Sequence, residues 1–142
     1  MEKYSVFDCT MVELDKHHSD RKGNLTVVEN GRTLPFDVKR VYYLYDVPGG
    51  EDRGGHAFIE NQEVVIALSG AFDVVVDDGV TRKTFCLNRS YYGLYIPAGL
   101  WRAMENFSTN SFALEFGSVA YSPDDYIRDY EQFLNMKQDG KI

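Results

Sequence analysis

The sequence predicts an all-β fold, an antiparallel sandwich or barrel with one short C-terminal helix. Three observations predict it. Short apolar runs recur at even spacing between glycine-containing turns, as in closed antiparallel architectures. Two of those turns, Asn30-Gly31 and Asp78-Gly79, are of the type that favours tight hairpins. Ten Tyr and nine Phe among 142 residues suit the half-buried surfaces of strands. That length fits a single domain, residues 1–142, large enough to bury a core.

In chain order, Tyr4 to Leu14 alternates weakly and is an opening strand. Lys16 to Gly23 is a turn by composition, and the adjacent His17 and His18 within it read as solvent-facing rather than metal-binding. Residues 24 to 30 form a short strand ending at Asn30-Gly31. From Phe36 to Tyr45 alternation places Val38, Arg40, Tyr42 and Leu44 on one face, and Lys39, Val41, Tyr43 and Tyr45 on the other. Pro48-Gly49-Gly50 breaks that strand. Val64 to Leu68, Ala71 to Val76 and Val80 to Leu87 read as successive hairpin strands. Two more flank Pro97-Ala98-Gly99, where Trp101 reads as core. Phe112 to Gly117 is the last strand, with Glu115 expected to point outward. Ser122-Pro123-Asp124-Asp125 then reads as a helix start, and Tyr126, Ile127, Tyr130, Phe133 and Leu134 keep a helical period, giving a helix over about 123–136.

Composition narrows the partners. A net charge of −7 argues against nucleic acid polymers, although a nucleotide needs only a few local cations such as Arg40, Arg53 or Arg102. No apolar run reaches the length of a membrane span, and the start, MEKYSVFDC, lacks a signal-peptide core. Two cysteines, Cys9 and Cys86, are too few for a disulfide framework, so a reducing cytoplasm is the expected setting.

The stretch from Gly50 to Gly70 carries the chemistry. It sets His56, Phe58, Glu63 and Gly70 at fixed intervals, and a second stretch spaces Pro97, Gly99, Arg102 and Asn106. These intervals resemble the two signatures of the cupin superfamily, whose jelly-roll barrel holds a metal on histidines and a glutamate. Here Phe58 and Arg102 occupy two histidine positions. Phenylalanine has no lone pair and arginine repels a cation, so a metal needing three or four donors is not expected.

A narrower resemblance follows from LPFDVKRVYYLYDVPGGEDRGGHAF, ALSGAFDVVVDDG, LNRSYYGLYIPAGLWRAMENFS and DDYIRDYEQFL. Together these are similar to the sugar 3,4-ketoisomerase family of cupins, the WxcM-like C-terminal domains, from about Asp20 to Leu134. The resemblance implies a jelly roll without metal or other cofactor, dimerising by strand exchange, that moves a keto group from C4 to C3 of a dTDP-linked deoxysugar. It implies His56, Arg102 and Tyr43 as catalytic residues, and Lys22, Arg40, Arg53 and Glu63 as substrate-binding. Two departures stand out. The second histidine of the family's H-A-H is Phe58, and Lys22 stands where an arginine belongs in D-x-R-G.

Such a reaction needs a base near neutrality and a donor for the developing enolate oxygen. His56 suits the first role because imidazole titrates near neutral pH. Arg102 and a tyrosine such as Tyr43 suit the second. Losing the imidazole at position 58 leaves two function classes. One is an isomerase or related epimerase acting through His56; the other is a module that binds a nucleotide sugar without converting it. A metal-dependent dioxygenase is a distant third.

Overall fold

A computed structural model describes residues 3–142 and consists almost entirely of antiparallel strands. Twelve strands are present among them: β1 (Thr10–Glu13), β2 (Asp15–Ser19), β3 (Gly23–Val27), β4 (Arg40–Tyr45), β5 (Arg53–Phe58), β6 (Glu63–Ser69), β7 (Phe72–Asp77), β8 (Arg82–Leu87), β9 (Tyr92–Ile96), β10 (Trp101–Glu105), β11 (Phe112–Gly117) and β12 (Tyr126–Ile127). One helix, α1 (Tyr130–Gln138), follows. Five strands form a sheet in the order β1-β9-β6-β11-β4, five form a second in the order β12-β5-β10-β7-β8, and β2 and β3 stand apart as a hairpin. No helix among the described residues is long and apolar enough to cross a membrane.

The two sheets meet through their period-two faces. Val65 and Ala67 of β6 and Leu94 and Ile96 of β9 pack against Phe72, Val74 and Val76 of β7 and Met104 of β10. The other face of β6, Val64 and Ile66, is covered by Leu14, Leu34, Phe36 and Val38. This explains why β6 reads as a continuous apolar run rather than an alternating one: both of its faces are buried. Outside the second sheet, Ala57, Trp101 and Ile127 pack on Phe133 and Tyr130 of α1, so Trp101 is core as expected.

Four local expectations change. Tyr4 to Leu14 opens with a 3-10 turn at Val6–Asp8, because Ser5 and Asp8 cap it reciprocally, and only Thr10–Glu13 pairs, with β9. Much of the presumed turn from Lys16 to Gly23 is strand: His17 and His18 pair with Leu25 and Asn24 across the β2–β3 hairpin. The Asn30-Gly31 turn joins strands that are not partners, since β3 pairs with β2 and β4 with β11. At the C-terminus the helix begins at Tyr130 with Asp129 as its cap, not near residue 123. Asp125 is the physical reason. Its carboxylate accepts the backbone N–H groups of Glu60 and Asn61 at 2.7 and 3.1 Å, drawing Tyr126 and Ile127 out as a strand against β5. Competing side-chain bonds of this kind override helical propensity.

Candidate active site

The site grows from register. Arg102 of β10 lies directly opposite His56 of β5, and Glu63 opens β6 in the facing sheet. Glu115 sits on β11 directly across from Val65 of β6 and Tyr42 of β4. All four of the residues His56, Glu63, Arg102 and Glu115 are buried, Arg102 and the two glutamates to 2% exposure or less. Glu115 was expected on the outer surface. It turns inward because it alternates with Ala113 and Gly117 on the buried face of β11, where it meets Arg102 from the other sheet.

Arg102 arrives there with every donor engaged. Its Nε and Nη2 grip Glu63 at 2.6 and 2.8 Å, and Nη2 also donates to Glu115. Its Nη1 donates to the Gly54 carbonyl at 2.7 Å and lies 3.1 Å from His56 Nε2. A guanidinium has five N–H groups, and these five contacts use them all. Arg102 therefore has no donor left for a ligand, contrary to the expected role of enolate stabiliser. Both oxygens of Glu63 are likewise held by Arg102, and Oε2 accepts from the Tyr42 hydroxyl as well. Gly54 makes the approach possible, since its φ is +75° and a Cβ there would stand 2.5 Å from Arg102 Nη1.

Charge balances within the cluster. Burial raises the Glu63 carboxyl, but the charge and hydrogen bonds of Arg102 outweigh burial and hold it below the usual range. Burial, with the neighbouring charge of Glu63, pushes Glu115 up to about 8 against the pull of Arg102. Around one cation the two carboxyls are thus driven apart, Glu63 toward the ionised form and Glu115 toward the protonated one. The Tyr42 hydroxyl, 3.1 Å from both Glu63 and Glu115, closes the network, and burial raises its pKa.

His56 is held neutral. Burial first, then the charge of Arg102, lowers it to about 3. It therefore is not an imidazole poised near neutrality. A stability prediction follows from the sign of the shift. Between about pH 6.5 and 3 the unfolded chain binds a proton at this position and the folded one does not, so folding stability falls as pH drops. Urea midpoints measured across that window are expected to show a slope of up to about 1.4 kcal/mol per pH unit from this group, flattened in His56→Asn.

Beside this closed cluster lie buried polar atoms that have no partner among the described residues. Arg40, which shares a face of β4 with Tyr42 as alternation predicted, donates from Nη1 to the Tyr126 hydroxyl at 3.2 Å. Its Nε and Nη2 are buried without a partner. Its guanidinium carbon lies 5.0 to 5.8 Å from the rings of Tyr42, Phe58, Tyr121 and Tyr126, an aromatic surround that suits a cation. Tyr126 lies opposite Phe58 in register, and its ring meets those of Phe58 and His56 edge-on at 4.7 and 5.0 Å. Because its oxygen already accepts from Arg40, its proton is free for another acceptor. The His56 Nδ1 is also buried and unpartnered.

The remaining expected residues lie elsewhere. Tyr43 is 54% exposed on the outer face of β4, stacked on Phe112, and its neighbour Tyr42 takes the inward place. Arg53 is exposed at the start of β5. Lys22 is exposed in the turn of the β2–β3 hairpin, its N–H bonded to Ser19. Sequence reasoning missed Tyr126, which it placed in a helix, and Tyr42, whose face was legible but not its inward sense.

Comparison with known proteins fits this geometry. The family described as WxcM-like, C-terminal matches residues 7–138. A TDP-4-oxo-6-deoxy-alpha-D-glucose-3,4-oxoisomerase of Aneurinibacillus thermoaerophilus is 34% identical over 127 residues, covering 85% of this chain and 91% of that protein. Among solved structures, a 3,4-ketoisomerase from Helicobacter canadensis superposes with a TM-score of 0.88 at 38% identity, covering 92% of this chain and 98% of the other. A sugar 3,4-ketoisomerase from Thermoanaerobacterium thermosaccharolyticum, solved with TDP, reaches 0.91 at 29% identity, covering 96% and 99%. With a matching signature over nearly its whole length and the jelly-roll sheets in place, the chain belongs to the WxcM-like C-terminal family.

Proposed function

We propose that this protein is an isomerase of a dTDP-linked 4-keto-6-deoxysugar, moving the ketone from C4 to C3 through an enediol. The carrying observation is the group of uncommitted polar atoms at Arg40, Tyr126 and His56, set side by side within the barrel. It is supported by relatives named as 3,4-ketoisomerases, one of them solved with TDP. The C4 ketone acidifies the C3 hydrogen, and donors near the ketone oxygen stabilise the charge that develops when that hydrogen leaves. Arg40 supplies charged N–H groups to an oxygen of the bound sugar or its phosphates. Tyr126 supplies an O–H proton in the place where Phe58 leaves none. Arg53, at the exposed start of β5, adds a cation for the pyrophosphate.

Incubation with dTDP-4-keto-6-deoxyglucose in deuterated water tests this by proton NMR. The expected result is loss of the C3 proton signal with appearance of the 3-keto sugar. Binding without exchange would leave a non-catalytic nucleotide-sugar module, a reading that Phe58 and the engaged lone pair of His56 favour. Exchange at another carbon would point to a related isomerase or epimerase.

A homodimer is part of the same reading. Val41, Tyr43 and Tyr45 form an outward row, each more than half exposed, and two of them stack on Phe112. Such a patch marks a surface that associates. β1 lies at the edge of its sheet, the position from which a strand is traded with a second copy. A reducing cytoplasm suits the free thiols of Cys9 and Cys86.

A further inference from the structure

We propose that Asp125 is a positioning residue for the reaction: it docks the chain after β11 on the turn between β5 and β6, and so fixes the Tyr126 hydroxyl where the sugar meets it. The inference deepens the isomerase reading above and rests on it.

Tyr126 needs such a fixture. Its strand is two residues long and sits at the edge of its sheet, paired with Phe58 and Ala57 of β5. So short a ladder fixes a backbone weakly. Tyr126 is also only partly buried, and Tyr121 beside it is 62% exposed, so packing does not enclose the ring on every side.

Asp125 supplies what the ladder lacks. One carboxylate oxygen accepts the Glu60 N–H at 2.7 Å and the other the Asn61 N–H at 3.1 Å, while the backbone carbonyl accepts from Ile59 at 2.9 Å. Two oxygens on two successive N–H groups set both the place and the rotation of residue 125, as a forked contact does. Tyr126, the next residue along, inherits that geometry.

The turn that receives Asp125 is itself fastened. Asn61, 1% exposed, accepts the Ser118 and Val119 N–H groups on its amide oxygen at 2.9 and 3.2 Å. The Gln62 N–H donates to Ser118 Oγ at 2.8 Å, and the Ser118 N–H to the Gln62 carbonyl at 3.0 Å. The same turn joins Phe58 to Glu63, the carboxylate that holds Arg102. Asp125 thus ties the tail to the stretch of backbone from which the buried cluster is built.

A phenol O–H serves the reaction only while it stays aimed at the oxygen that gains charge, and a misplacement of about 1 Å costs on the order of 100-fold in rate. Asp125 touches no reacting atom and acts through Tyr126.

A double-mutant cycle with dTDP-4-keto-6-deoxyglucose as substrate tests this. Asp125→Asn keeps the side chain's shape but turns an NH2 group toward one of the two N–H groups. Its kcat is expected to fall about 10- to 100-fold with KM changed less than about threefold, and that of Tyr126→Phe to fall at least as far. In the Tyr126→Phe background Asp125→Asn is expected to cost less than about twofold more, because the group it positions is gone. Asp124→Asn, at the exposed neighbouring position, should leave kcat unchanged. A 3-fluorotyrosine at position 126 alone reports the seat directly, with a fluorine signal that Asp125→Asn shifts or broadens. Buried Ile127 keeps the tail folded, so Tm should drop only about 5–10 °C. If Asp125→Asn does not fold, Asp125→Ser, which keeps one acceptor, carries the same comparison. Undiminished kcat, an unmoved fluorine signal or losses that add in the double variant overturn this inference and leave the isomerase reading standing. A wild-type protein that exchanges no C3 hydrogen overturns both.

Discussion

Replacing Arg102 with leucine is expected to destabilise the protein by about 3–5 kcal/mol, the usual cost of stranding the partner of a buried ion pair. The partners here are Glu63 and Glu115, both 1% exposed, with no other cation among the described residues hydrogen-bonded to them. The loss is expected to depend on pH in a defined direction. Without the guanidinium the folded-state pKa of Glu63 rises, so stability that wild type keeps at pH 7.5 is lost as the pH climbs through the new value. Urea denaturation at about pH 5.5 and 7.5 should therefore show the larger deficit at the higher pH. Replacing Arg102, Glu63 and Glu115 together by apolar residues of similar size is expected to recover most of the stability, since a buried ion cluster contributes little over well-packed side chains. A single substitution costing less than about 1 kcal/mol at pH 7.5 would show that water reaches the cluster and that the two sheets do not depend on it.

Arg40→Met is expected to act in the opposite sense, sparing the fold and removing function. Methionine keeps much of the aliphatic length that packs among the four aromatic rings and deletes the two buried nitrogens, Nε and Nη2, that have no partner. Thermal stability should be unchanged or slightly higher, because an unpaired buried donor is itself unfavourable. A hydrogen bond to a charged group contributes about 1.5–3 kcal/mol, so kcat/KM for the keto sugar should fall roughly 10- to 100-fold. Full activity in Arg40→Met would mean that these donors face no substrate oxygen.

The contrast between the two arginines shows what a sequence makes legible. Spacing brought His56, Glu63 and Arg102 to one place, because fixed intervals along strands β5, β6 and β10 translate into register. Alternation likewise set Arg40 and Tyr42 on a common face of β4. What spacing does not carry is how many hydrogen bonds each group makes once there. Arg102 was taken for a ligand contact and proves saturated, while the partner that saturates it, Glu115, was taken for a surface charge. Its alternation with Ala113 and Gly117, two small residues suited to a buried face, was the available signal. Tyr126 was hidden for another reason. Its periodicity is helical, and only a bond from Asp125 to the chain near residue 60, distant in sequence, pulls it into a strand.

That two-residue strand ties the tail to the candidate site, because it sets the Tyr126 ring against His56 and its hydroxyl against Arg40. A chain cut after β11 would lose the phenol against His56 and, with Ile127 and Phe133, the cover over the outer face of the second sheet. The last stretch of the chain therefore serves the fold and the candidate site together, so one aromatic residue there bears on both the pairing of β5 and the surroundings of the buried arginine and histidine.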